Sequence, residues 1–371
     1  VEAFTDEQKM RHIYLWLLLL GLGNIQVFGQ TDSTQQEDED YSQYENAGFA
    51  DGGTKRYCTS KILDMSPQKL ITLGYDYQGP ATLDAASFAS PDKSQLFLAQ
   101  SLRIQSAQGL RFGANVPVIS RNSGIFQLGL NYAETRYDIS NPEKHPMGTW
   151  LNNYGLRTIG VQATLFKPLN EKQFILAQAQ ADLNGDFTWN HTQSLQYLRY
   201  SGTLIYGWKK HDRLMYGFGL SRTYRVGDLN YIPVVLYNYT APSRKWGVET
   251  VFPARLQVKR IFNTRSILSW GHELEGQSYR LNNSGIVNMG YDNLELRRGE
   301  LRIRFMYERS LYGFIWLSVQ SGLRYNWSYD VDHLPKGNEF FRGFFGNQPF
   351  VMQNDLTNTW YTQISINLVS P

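Results

Sequence analysis

Leu301–Trp327 reads LRIRFMYERSLYGFIWLSVQSGLRYNW. On its first arm Leu301, Ile303, Phe305 and Tyr307 alternate with Arg302, Arg304 and Met306. On its second arm Ile315, Leu317, Val319, Leu323, Tyr325 and Trp327 alternate with Ser318, Gln320, Arg324 and Asn326. Side chains on a strand point to opposite faces with period two, so each arm has one oily and one polar face. The polar join Glu308–Leu311 predicts a tight hairpin turn between them. A long hairpin with an apolar, aromatic-ended face and an Arg/Gln/Asn/Ser face suits a wall between lipid and water. The same alternation would also suit a soluble sandwich, so the remaining chain has to discriminate.

It does so by repetition. Strands are expected at 69–77, 95–118, 124–138, 154–167, 173–184, 196–208 and 213–225. They continue at 230–240, 246–262, 265–280, 293–308, 311–329 and 357–369, with no helical period anywhere. Phe126, Leu128, Leu130 and Tyr132, then Leu204, Tyr206 and Trp208, then Leu214, Tyr216, Phe218 and Leu220 fall on outward faces. The opposite faces carry Gln127, Asn131, Gln178, Gln180, Asp182, Arg255, Gln257, Lys259, Glu273, Glu275 and Gln277, too charged for a sandwich interior. Short polar joins at 120–123, 169–172, 209–212, 263–265 and 308–311 alternate with long segments at 78–93, 139–152, 185–195, 281–292 and 330–356. Short turns at one end and long loops at the other are the pattern of a closed antiparallel transmembrane β-barrel. The count is 14 strands if 246–262 breaks at Pro253, and 12 if it does not and 230–240 is a loop.

The 371 residues are 19% charged and 14% aromatic, with 24 Tyr and 9 Trp. Mean hydropathy is −0.42, which excludes a helical membrane protein but not a barrel, whose wall shows only alternate residues to lipid. A net charge of +3 gives no case for nucleic acid. The single cysteine, Cys58, excludes an intrachain disulfide framework, and the six histidines show no metal-ligand spacing. No catalytic constellation, cofactor or metal is expected.

Met10 is expected as the natural start, with residues 1–9 upstream of it. Arg11 and His12, the apolar run Ile13–Gly23 and the small residues Val27 and Gly29 predict an export signal over residues 1–29, leaving Gln30 first. Residues 30–64 include an acidic, Gly/Ser/Gln-rich stretch and are expected as a disordered tail. The barrel is placed at 65–371.

Pro117, Pro233 and Pro253 interrupt strands and should mark bulges, strand ends or corners, since proline cannot donate to a ladder. Glu273 and Glu275 should face Arg302 and Arg304 on the next strand as lumen ion-pair rows. Being wet, those rows should contribute little stability, so removing one sign should spare the fold and change the field along a pore. His272 has the opposite parity and should not join them. Phe340, Phe341, Phe344, Phe345 and Phe350 crowd the last long segment, which is expected to plug the barrel mouth or to bind an apolar ligand or partner.

At Tyr231-Ile-Pro-Val, Lys245-Trp246-Gly-Val-Glu and Phe252-Pro253-Ala, followed by a basic strand and a long hairpin, the chain resembles a known family. This is an uncharacterised outer-membrane β-barrel family of Bacteroidota-type bacteria, a domain of unknown function. The resemblance runs from about Lys69 to the C-terminus and implies a fold and an outer-membrane location. It brings no substrate and no functional residues. The chain departs from many such barrels in ending Asn367-Leu-Val-Ser-Pro371 rather than on an aromatic residue. The expected function is a non-enzymatic pore or small-solute transport barrel. It would meet outer-membrane lipid, the barrel-insertion machinery and a small solute. The alternatives are an assembly component of an envelope complex and an outer-membrane lipid-modifying enzyme.

Overall fold

The alternation builds a wall in the computed structural model, which describes residues 57–90, 96–188, 198–227, 229–281, 294–333 and 350–370. The wall strands are β1 (Lys69–Gln78), β2 (Gln100–Arg121), β3 (Gly124–Ser140), β4 (Leu156–Pro168), β5 (Gln173–Gly185), β6 (Leu198–His211) and β7 (Leu214–Thr223). They continue as β8 (Asn230–Thr240), β9 (Trp246–Phe252), β10 (Arg255–Asn263), β11 (Ser266–Leu274), β12 (Leu294–Tyr312), β13 (Ile315–His333) and β14 (Thr359–Val369). Each is antiparallel to its chain neighbour, and β14 pairs with β1, Leu73 opposite Ile366, to close a barrel of 14 strands. Closure satisfies every strand edge, which an open sheet of this size could not do.

Parity is as the sequence predicts. Leu204, Phe218, Phe305 and Ile364 lie on the exposed outer face, while Arg302, Glu308, Ser318 and Gln320 point inward and are buried. The expected strand 246–262 does break at Pro253, giving β9 and β10. Pro117 sits at a bulge between β2 and β3. Pro233 lies in β8 before the register with β9 begins at Val235–Phe252, so on that side its missing N–H has no ladder to serve.

Two expectations need correction. The turn of the opening hairpin lies at Gly313–Phe314, not at Glu308–Leu311. Gly313 takes a φ of +49°, which glycine adopts without strain. The polarity at Glu308 instead reflects its inward direction: it pairs with Lys69 at 2.7 Å and accepts from Ser318 at 3.0 Å. The long segment 139–152 also contains a helix, α1 (Pro146–Tyr154). The His145 ring accepts from the Met147 N–H at 3.2 Å, Pro146 occupies the first turn, and Gly155 closes the helix at φ +62°.

The wall is uneven in height. β7 to β11 have 7 to 11 residues each, against 19 in β12 and β13. Above the short strands, the continuation of β11 (Gln277–Leu281) forms a parallel bridge, Arg280 to Gly185, with the top of β5. There the Asp186 N–H donates to the Arg280 carbonyl at 3.2 Å.

Candidate functional site

The inward residues enclose a chamber of about 770 Å³. Its roof is apolar. Leu83, Leu102, Ile104, Tyr137, Leu281, Leu294, Leu296, Tyr329 and Val331 come from both sides of the barrel and form one buried cluster with Met147, Trp150 and Leu151 of α1. Trp150 Nε1 donates to Asp186 at 2.9 Å, and Tyr329 donates to the Tyr137 hydroxyl at 3.1 Å. Burying an indole and two phenols with their polar atoms paired makes this roof a packed one.

The floor is built by the chain before β1. Cys58 and Ile62 are buried against inward Phe166, Phe174, Ile205, Met215, Val234 and Leu236. Main-chain bonds hold the segment to the short-turn end: Cys58 N–H to Asn170 O at 3.1 Å, and Leu63 N–H to Asp212 O at 2.7 Å. Thr240 Oγ1 donates to Leu63 O at 2.7 Å, and Ser66 N–H to Glu249 at 2.7 Å. Lys259 bonds both Glu249 and the Asp64 carbonyl. Arg244 grips Asp64 with two bonds, at 2.7 and 3.0 Å, and this pairing lowers the Asp64 carboxyl below its ordinary 3.8. Residues 57–64, expected as the end of a solvated tail, therefore form a strap across the barrel end.

Between roof and floor, one wall is charged. Glu273 and Glu275 do meet Arg304 and Arg302: Arg304 bonds Glu273 at 2.6 Å, and Arg302 contacts Glu275. The four predicted residues thus share one site. Arg302 also reaches Asp76 at 2.9 Å and Glu300 at 3.2 Å, and stacks over Tyr361 at 4.7 Å. Arg111 holds Asp76 at 3.0 Å and contacts Glu275, while Glu300 takes Arg298 at 2.8 Å and contacts Arg324. The expectation of wet rows is corrected for Arg302 alone, since Glu273 and Glu275 keep 23% and 24% of their side-chain exposure. Arg302 is 1% exposed and Glu300 fully buried, so solvent screening does not weaken their pairing.

The opposite wall is a row of amides. Gln178 donates to Gln162 at 3.2 Å, Gln162 contacts Asn115, and Asn131 donates to Asp182 at 3.2 Å. A side pocket of about 290 Å³ opens beneath the short strands, and Gln180, Arg225, Arg255, Glu273 and Gln277 line both spaces.

Sequence reasoning missed Asp76, Arg111, Glu300 and the strap. Asp76 was legible in principle, since Thr72, Gly74 and Asp76 share the inward parity of β1. Arg111 was hidden by the bulges that shift the register of β2 against β3. Of the aromatic segment, Phe350 lies in a short strand (Phe350–Met352) with the Arg297 guanidinium 5.3 Å from its ring. Phe340, Phe341, Phe344 and Phe345 lie outside the described residues. His272 keeps the outward parity and meets the Phe252 ring at 6.4 Å.

An apolar outer face around a roofed, polar chamber defines the class: a closed β-barrel of the outer-membrane type. The chain belongs to the family described as domain of unknown function DUF6268, whose profile matches residues 126–327. No curated protein matches the sequence. Among solved structures it is similar to an outer membrane channel from Pseudomonas putida F1, with 12% identity, 85% of this chain and 99% of that one covered, and a TM-score of 0.32. It is similar to the P. putida toluene transporter TodX, with 9% identity, coverage of 84% and 94%, and a TM-score of 0.34. A FadL homologue of Pseudomonas aeruginosa gives 8% identity, coverage of 82% and 91%, and a TM-score of 0.33.

Proposed function

We propose that this protein is a non-enzymatic outer-membrane barrel that passes a small polar solute through a chamber closed at rest. The observation that carries this reading is the roofed and floored chamber itself. A purely structural barrel has no need of 770 Å³ of polar space behind its wall. Most of the chamber's ionisable groups, Arg255 apart, hold one another in pairs, an arrangement that suits a lining more than a reaction centre, which needs a group free to attack or to take a proton. The outer face supports membrane embedding. Exposed Leu, Ile and Phe band the strands, with Trp208, Trp246, Trp270, Trp327 and Trp360 among them on the outward parity. Placement in the outer membrane would follow export through the signal at residues 1–29 and assembly by the barrel-insertion machinery.

Planar-bilayer recording tests the passage. Purified protein is expected to give brief, infrequent openings, because roof and floor must move before ions pass. A permanently silent bilayer containing folded protein would overturn the reading in favour of an envelope-assembly role.

The membrane face has its own test. Leu317→Arg puts a charge on the outer wall and is expected to cost about 2–4 kcal/mol in lipid. Gln320→Lys, which points into the chamber, is expected to leave folding intact. Mobility of unheated samples on gels reports both. Equal behaviour of the two variants would refute the assigned parity.

A further inference from the structure

At the junction between chamber and side pocket, arginines gather around one carboxylate. Arg304, Arg225 and Arg255 converge on one carboxylate, that of Glu273. Arg304 takes it at 2.6 Å, Arg225 stands at 3.8 Å, and Arg255, opposite Glu273 in the β10–β11 register, has no carboxylate within ion-pair distance among the described residues. Arg255 remains accessible while lining both spaces. Both Arg225 and Arg255 keep exposed side chains toward these spaces, and a planar carboxylate matches their forked donors.

The side pocket adds a second requirement. Followed along the strand register, its inner surface changes character in one direction. Gln178, Gln180 and the buried Asp182 of β5, which accepts from Gln180, lead to Ser201 and Thr203 of β6, then Ser221 and Thr223 of β7. Beyond them come Ile232 and Val234 of β8, then Val251 and Pro253, and then Arg255 with Glu273 opposite it. One side therefore offers hydroxyls and amides that both donate and accept, as Thr203 and Ser221 do to each other at 2.8 Å. The other side offers an aliphatic face. A sugar ring has this dual character, with hydroxyls around its edge and C–H groups on its face.

We infer that the junction and side pocket form a binding site for an acidic monosaccharide, a hexuronate. Its carboxylate lies on Arg255 and Arg225, its hydroxyls on the β5–β7 row, and its ring face on Ile232, Val234 and Val251. The side pocket, at about 290 Å³, has the size for one sugar unit. The inference rests on the passage reading, in that it names the class of solute held on the way through.

D-Glucuronate, D-glucose and hexanoate are the probes, titrated calorimetrically into the full protein in detergent. Glucuronate is expected to bind, with glucose and hexanoate each weaker by about tenfold or more, the loss expected when a charged or a hydroxyl contact set is missing. Arg255→Gln is expected to abolish the preference for glucuronate over glucose, and Thr203→Val the preference for glucuronate over hexanoate. Gel mobility confirms that each variant is folded. Equal binding of glucuronate and glucose, equal binding of glucuronate and hexanoate, or no binding to folded protein would each overturn the site. Bilayer traces from the same preparation separate the two proposals. Openings without glucuronate binding remove the site alone, while binding without openings removes the passage alone.

Discussion

Arg302→Ala is expected to destabilise the barrel by about 3–5 kcal/mol, the usual cost of leaving buried charge without its partner. The side chain is 1% exposed and serves Asp76, Glu275 and Glu300 at once. Removing it leaves Arg111 as the cation in contact with both Asp76 and Glu275, and leaves Glu300 with Arg298 and Arg324. Denaturant unfolding from lipid vesicles measures the loss. Arg304→Ala is the internal comparison and should cost clearly less, because its partner Glu273 is 23% exposed and has Arg225 nearby. Adding Glu300→Gln to Arg302→Ala should deepen the loss, since the buried Arg298 and Arg324 then lose the carboxylate both contact. Equal losses for Arg302→Ala and Arg304→Ala would show that burial does not set the strength of this network.

The second large effect is on passage. Deleting residues 57–68 removes the strap but none of the wall, whose first strand begins at Lys69. Open probability in bilayers is expected to rise several-fold, because the floor residues Cys58, Ile62 and Met65 leave with the strap. The anchor between Asp64 and Arg244 gives this closure a predictable response to acid. Arg244 holds the folded-state carboxyl below its ordinary 3.8, so the contribution is complete above that value and fades only as pH falls through the lowered one. Closure by the strap should therefore persist unchanged through mildly acidic conditions. A deletion that left open probability unchanged would place the resting seal at the roof alone.

What was legible in the sequence is what period-two alternation carries. Outer and inner faces, the break at Pro253 and the meeting of Glu273 and Glu275 with Arg302 and Arg304 all follow from parity on strands that neighbour one another in the chain. Contacts made by closing the barrel are not encoded in that way. Asp76 and Arg302 lie 226 positions apart and meet only because β14 returns to β1. The strap was missed for a related reason. Its receiving surface, Phe174, Leu176, Ile205, Met215, Val234 and Leu236, shows as a lapse of alternation, apolar on a face expected to be polar. Such a lapse signals that something covers the inner face, without saying which segment. The helix α1, at nine residues, is too short for its period to stand out from loop sequence.

The bridge between Arg280 and Gly185 makes the barrel a funnel. Where Gln277–Leu281 turns to meet β5, the circuit skips β6 to β10, so that fewer strands ring the upper level than the fourteen that ring the lower. Barrel diameter grows about linearly with strand number, so the neck is narrower than the base. The closure at Arg280 and Gly185 is made by main-chain groups rather than by a side-chain contact. For the proposed passage, a solute would meet this narrower ring before the charged wall, so selection by girth would precede any selection by charge.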